Sequence, residues 1–174
     1  MTAWIVRLHA HDERALHALV LRRRPMLDRA MHAVTHLGDA AFTVGVTTLL
    51  MLGAVPGLRE AGFHAGFALA SSHLVVQLLK RSISRARPRM PEGFAAMVQP
   101  PDRFSFPSGH AASSLSVALA LASVLPGPAA LALLAVAATV GMSRCYLGVH
   151  YPGDVIVGWV LAVLGLVAAG VIIG

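Results

Sequence analysis

Cysteine and lysine each occur once in this 174-residue chain, and only eight residues are acidic. The lone Cys145 rules out an intrachain disulfide and leaves the redox compartment unspecified; within an apolar run it reads as a small core residue. The few carboxylates form no cluster fit for magnesium or calcium. Charged residues make up 13% of the chain against 56% hydrophobic, with a mean hydropathy of +0.70. Too few polar side chains remain to cover a water-soluble surface, so a soluble globular domain is excluded. The N-terminus lacks the clean apolar core and small-residue cleavage site of a signal peptide. No internal repeat or second domain is visible, and the length is that of one domain.

What is present is a series of apolar segments separated by basic ones. Trp4, Ile5, Leu8, Leu16, Leu19 and Val20 recur at near-helical spacing against Arg7, His11, Arg14 and Arg22. That pattern predicts an amphipathic helix lying in the membrane interface over residues 1–25, stopped by Arg22-Arg23-Arg24-Pro25. Spans follow at about 27–55, 61–80, 109–125, 128–145 and 153–173, with Pro56-Gly57 and Pro126-Gly127-Pro128 as breaks. Residues 81–107 form the one long polar connection, and a loop of that length in so compact a chain is usually functional. The expected fold is therefore an all-α integral membrane protein, one domain over residues 1–174, with about five transmembrane helices and an N-terminal interfacial helix.

A net charge of +6 raises the question of nucleic acid. The arginines lie between apolar segments rather than along one basic face, so anionic lipid or a phosphorylated substrate fits better. The expected partners are a lipid phosphate and membrane lipids, not nucleic acid, with self-association left open.

The most informative stretch runs from Ser143 to Asp154, where Arg144, His150 and Asp154 interrupt apolar sequence. Ionisable groups in or beside a span are costly and so ask for a functional reason. His150 and Asp154 are four apart, and Pro152 suits the first turn of a helix, so Asp154 can accept a hydrogen bond from one imidazole nitrogen. The other nitrogen is then left as nucleophile or base. Arg144 offers a planar fork of donors suited to phosphate. In Pro107-Ser108-Gly109-His110, serine is a good N-cap, glycine allows close backbone approach, and the following helix N-terminus makes an anion site facing His110. Lys80 is the only lysine against thirteen arginines, a point charge kept where the composition otherwise selects a fork.

Alternation of the spans places the ends at Lys80, His110, Arg144 and Asp154 on one face of the membrane. Interfacial anchoring would explain the cations, but not two histidines and a carboxylate at the same level. Asp39 and His36 either border this site or serve a helix end. His64 and His73 lie within a span, where a lone histidine usually bonds a neighbouring helix; His73 shares a face with Lys80.

Taken together, these motifs resemble the type-2 phosphatidic acid phosphatase superfamily, the lipid phosphate phosphatases related to vanadium haloperoxidases. Its first motif is met by Lys80 and Arg87-Pro88, its second by Pro107-Ser108-Gly109-His110, and its third by Ser143-Arg144, His150 and Asp154. The resemblance implies that His150 attacks phosphorus to form a phosphohistidine while Asp154 orients it. It implies that His110 protonates the leaving group. Lys80, Arg87, Ser108, the Gly109 amide and Arg144 would hold the phosphoryl oxygens. No metal or other cofactor is implied. Bacterial members usually have six spans, against five read here.

The expected function is metal-independent hydrolysis of the phosphomonoester or pyrophosphate of a lipid: phosphatidic acid, phosphatidylglycerol phosphate, or a polyprenyl-linked phosphate such as decaprenylphosphoryl ribose 5-phosphate. Two rivals are phosphotransfer to another alcohol through the same intermediate, and a small transporter whose histidines relay protons. For location, a multi-pass protein of the bacterial plasma membrane is expected. Thirteen basic residues fall on the site's face (Arg7, Arg14, Arg22, Arg23, Arg24, Arg29, Lys80, Arg81, Arg85, Arg87, Arg89, Arg103 and Arg144) and only Arg59 opposite. Setting Lys80, Arg87 and Arg144 aside leaves ten against one, which predicts a cytoplasmic site.

Overall fold

The computed structural model describes residues 3–100 and 102–174, with side chains from residue 9 onward. The side chains of Trp4, Ile5, Arg7 and Leu8, used above for the first helix, lie outside the described residues. The chain forms α1 (Ala3–Val20), α2 (Pro25–Thr35), a single 3-10 turn (His36–Gly38), α3 (Ala40–Met51), α4 (Arg59–Ile83), α5 (Gly109–Ala122), α6 (Gly127–Tyr146) and α7 (Pro152–Ile172). Proline sets the start of α2, α6 and α7, where its missing N–H is no loss.

Helix α5 is the centre of the bundle, packed against α4, α6 and α7. Its buried residues are alanine and serine, which let neighbouring helices come close, and Ser116 meets Ser72 of α4 at 3.2 Å. On the outside, Leu74, Leu78, Val160, Leu164 and Val167 are exposed, as expected where hydrocarbon is the solvent. Helix α1 lies against α6 and α7, with Leu16 and Val20 fully buried beside Cys145, Tyr151 and Val155. The described part of its apolar stripe, Leu16, Leu19 and Val20, therefore faces protein at the end of the bundle that carries the polar loop.

Among the described residues three helices, α4, α6 and α7, are long and apolar enough to cross a membrane, and the α2–α3 pair makes a fourth if taken as one bent span. The expected unbroken span over 27–55 is bent by 50° at the 3-10 turn. Asp39 leaves helical geometry there, and its side chain makes no cap bond to α3. The expected span at 109–125 is a 14-residue helix. At 1.5 Å per residue it reaches about 21 Å, short of a hydrocarbon core of about 30 Å. Its start is set inside the bundle by Ser108, so it is the inner helix of the fold.

Candidate active site

The long polar loop is folded back on itself at the bundle end. Lys80 sits buried in the last turn of α4, and the helix ends at Ser84 in a left-handed conformation (φ 49°), which turns the chain back over the bundle. The outgoing limb carries Arg85 and Arg87. The returning limb pairs with it where Ser105 N–H donates to the Arg85 carbonyl at 2.9 Å. Ser108 then caps α5, its Oγ accepting from the Ala111 N–H at 3.4 Å, while its own N–H donates to the Asp154 carbonyl at 2.9 Å. A Cβ on Gly158 of α7 would lie 2.6 Å from the Ser108 carbonyl, so only glycine allows this approach. After α6 the chain reverses at Gly148 (φ +82°), where a Cβ would also meet Met90 Sδ at 2.7 Å. The reversal delivers His150 to the centre, and Pro152 begins α7 behind it.

One cavity of about 1020 Å³ gathers Lys80, Gly109, His110, Arg144 and His150 in its wall, together with Asp39 and Asp102. The ends of α4, α5, α6 and α7 thus meet at one level, as alternation of the spans requires. His150 is buried, with Arg87 Nη1 3.4 Å from its Nε2. Burial, helped by the charges of Arg87 and Arg144, pushes its pKa down to about 4 against the opposing pull of Asp154. The ring is consequently neutral at pH 7 and its lone pair available. Arg144 is buried as well, donates from Nη1 to Thr35 Oγ1 at 2.6 Å, and has no partner for Nε among the described residues. Such a buried charged donor at a cavity wall is suited to bonding an anion there.

Two expectations are modified. Asp154 Oδ2 lies 3.6 Å from His150 Nδ1, beyond hydrogen-bond reach, and Nδ1 has no other partner among the described residues. Catalytic hydrogen bonds of this kind are often long before substrate binds. The Asp154 carboxylate is instead held by Arg85 Nη1 at 2.6 Å and the Tyr151 N–H at 2.9 Å. Ser108 is fully buried beneath the cavity rather than in its wall, its hydroxyl engaged as the α5 cap.

Several residues escaped the sequence reading. Asp102 holds Lys80 of α4 and Arg87 of the loop together, Oδ2 accepting from Lys80 Nζ at 2.5 Å and Oδ1 from Arg87 Nη2 at 3.0 Å. Burial would raise its pKa, but the Lys80 and Arg87 bonds and charges outweigh that and keep it ionised. Arg85 joins Asp154 to Asp12 of α1 (2.8 Å), whose other oxygen accepts from the Gly153 N–H at 2.8 Å, and it stacks 4.1 Å from the Tyr151 ring centroid. Asp39, read from the sequence as either bordering the site or serving a helix end, lies at the cavity with Oδ1 2.8 Å from His110 Nε2. A general rule could have found Asp12 and Arg85: a carboxylate and a cation beside apolar segments want partners. Asp102 lies in a polar loop with no spacing rule to mark it.

Away from the charges, the cavity continues as a trough between α3 and α4, lined by Val44, Thr47, Met51, Gly66, Leu69 and Ala70. From Lys80 to Gly66 is fourteen residues of α4, or about 21 Å of helix rise, so the trough descends well into the hydrocarbon layer. His73 and Gln77, 3.1 Å apart, lie on its wall nearer the charges. An anion pocket that opens into an apolar trough can hold a phosphate and a lipid chain together.

Comparison with known proteins agrees with this geometry. The chain is 36% identical over 139 residues to the decaprenylphosphoryl-5-phosphoribose phosphatase of Mycobacterium tuberculosis, covering 78% of this chain and 74% of that protein. It is 33% identical over 164 residues to phosphatidylglycerophosphatase B of Bacillus subtilis, covering 88% and 78%. The crystal structure of a transmembrane PAP2-type phosphatidylglycerolphosphate phosphatase from Bacillus subtilis superposes with a TM-score of 0.78 at 30% identity, covering 94% of this chain and 85% of that one. A family model described as the PAP2 superfamily matches residues 61–173, which include all three motifs and most of the cavity wall, and the chain belongs to that superfamily.

Proposed function

We propose that this protein releases inorganic phosphate from a membrane lipid phosphate through a phosphohistidine on His150. The observation that carries the reading is the cavity itself, with cations, two imidazoles and a helix N-terminus at one end and an apolar trough at the other. In the first step the Nε2 lone pair of His150 forms the N–P bond as the P–O bond to the lipid breaks. A proton passes to the leaving oxygen from Nδ1 of His110, which reacts as the imidazolium that the adjacent Asp39 carboxylate favours against burial and the Arg144 charge. Water then attacks phosphorus, giving its proton back to His110, and the N–P bond breaks to free phosphate. Lys80, Arg87, Arg144 and the amides at the start of α5 hold the phosphoryl oxygens, and Asp154 fixes His150 from behind.

Among substrates, a 5-phosphorylated sugar on a polyprenyl phosphate is the leading candidate. The 36% identity to the mycobacterial enzyme supports it. His73 and Gln77 add polar groups between the charged end and the apolar trough, where sugar hydroxyls would lie. The ten-to-one excess of basic residues supports a site on the cytoplasmic side of a bacterial plasma membrane. The test is phosphate release by the purified protein, with EDTA present, on decaprenylphosphoryl ribose 5-phosphate, phosphatidylglycerol phosphate, phosphatidic acid and undecaprenyl diphosphate. We expect vanadate-sensitive release, fastest on the first; no release on any of them would defeat the reading. A reporter that fluoresces only in the cytoplasm, fused after Gly174, should stay dark, because α7 carries the C-terminus to the face opposite the site.

Asp102 yields a quantitative expectation. Its carboxylate bonds the two cations that phosphate needs, so substrate must displace it. Asp102→Asn retains a carbonyl oxygen for the Phe104 N–H, which Asp102 Oδ1 accepts at 3.1 Å, but removes the competing charge. For a partly exposed pair the gain is modest, about three- to tenfold tighter inhibition by phosphate and vanadate, read as Ki.

A further inference from the structure

The bend between α2 and α3 brings a carboxylate against the imidazole that lines the cavity at the start of α5. Asp39 Oδ1 lies 2.8 Å from His110 Nε2, and its Oδ2 lies 2.8 Å from His36 Nδ1 one turn back. The turn that carries Asp39 is docked firmly on α5. Ser113 Oγ donates to the Gly38 carbonyl at 3.0 Å, and a Cβ on Gly38 would come within 3.0 Å of His110 Cβ and 2.7 Å of Val140 Cγ1. His110 and Ser113 are three apart on one face of α5, so both contacts hold the same turn against the same helical face. His36 and Asp39 are half-exposed, whereas His110 is mostly covered. A straight span from Pro25 to Met51 would have no reason to break where it does; the 50° bend gives Asp39 its reach.

We propose that Asp39 is a positioning residue for the proton donor: it holds the Nε2–H of His110, so that Nδ1 faces the cavity and carries the proton given to the leaving oxygen. Three features support this. The bonded nitrogen is Nε2, and among the described residues the ring's one side-chain hydrogen bond is this one, which leaves Nδ1 unengaged. The carboxylate lines the same cavity as the ring and bonds it at the nitrogen remote from Nδ1. Its second oxygen is gripped by His36, which fixes the carboxylate's direction, so a flip of the His110 ring breaks its bond to an acceptor that stays in place. This inference rests on the phosphatase reading, with His110 as acid.

General acid catalysis matters in proportion to how badly the leaving oxygen needs a proton, and it contributes about 10²- to 10⁴-fold where the need is real. A lipid alcohol needs one; p-nitrophenolate does not. The experiment compares kcat/KM, which reports the departure step, for a lipid phosphate and for p-nitrophenyl phosphate on the same samples of full-length wild type and Asp39→Asn. We expect the variant to lose about 30- to 100-fold on the lipid phosphate and less than threefold on the aryl phosphate. The ratio of the two cancels any difference in folded fraction. Asp39→Glu, which keeps a carboxylate, should recover part of the ratio. In a His110→Ala background Asp39→Asn should leave the ratio unmoved, because its route of action is gone. Equal losses on both substrates, no loss on either, or a further change of ratio without His110 would overturn the proposal. If wild type releases phosphate from neither substrate, it is the phosphatase reading that fails.

Discussion

His150→Ala is expected to lower phosphate release by about four orders of magnitude or more while leaving the protein folded. The size follows from the role: removing the nucleophile removes the covalent route, and what remains is the cavity's grip on phosphate and its proton donor acting on water. The intact fold follows from surroundings. His150 is buried, yet its Nδ1 has no hydrogen-bond partner among the described residues, and its ring is held neutral by burial. Deleting it removes one long contact from Arg87 Nη1, which keeps the Val149 carbonyl at 2.6 Å, in contrast to the loss of a fully bonded buried group. The measurement is phosphate release by purified variant and wild type, with thermal unfolding in the same detergent. A second readout is label from the substrate's phosphorus on the denatured protein, stable in alkali and lost in acid, present in wild type and absent in His150→Ala. Near-normal release by the variant would assign the attack to another group.

How much of this was legible in the sequence depends on why each residue stands out. His150, Arg144, His110 and Lys80 were visible because polar residues are conspicuous in a chain this apolar, and because fixed spacing ties them to helix ends. Ser108 was readable as a cap, since an N-cap is a local property of one residue and the three after it. Asp39 was ambiguous. Its position between a polar and an apolar half of one segment suggested a helix end, but the 50° bend that brings it to His110 comes from packing on α5 through Gly38 and Ser113. Asp102 had no local signal, and although Arg85 and Asp12 stand beside apolar segments and so want partners, which partners these are is set by long-range packing: the contacts of the three span 22, 69 and 141 residues. The covering of α1 by α6 and α7 was equally beyond reach, because an amphipathic stripe looks the same whether it meets lipid or protein.

Asp154→Asn should separate the support of the site from its chemistry, with losses in both activity and stability. The carboxylate is fully buried at the start of α7 and holds Arg85 Nη1 at 2.6 Å and the Tyr151 N–H at 2.9 Å. Asparagine has the same shape, but one of its two terminal atoms becomes a donor. Whichever way the amide turns, it faces a donor, either the Arg85 guanidinium or the Tyr151 amide. Arg85 is left with Asp12 as its remaining carboxylate in a half-buried place. Breaking a buried pair on one side costs about 3–5 kcal/mol. For a chain of this length that corresponds to a drop in Tm on the order of 10 °C. The chemistry suffers separately, because the carboxylate behind His150 Nδ1 stabilises the ring as positive charge builds during attack, and its loss is expected to lower kcat by about 10³- to 10⁴-fold. The ranking of the two variants is therefore the discriminating result: His150→Ala nearly inactive at almost wild-type Tm, Asp154→Asn weakly active at a clearly lower one. An Asp154→Asn protein with unchanged Tm would mean that Arg85 does not depend on it, and one with unchanged kcat would mean that His150 is oriented by Arg87 and the reversal at Gly148 alone.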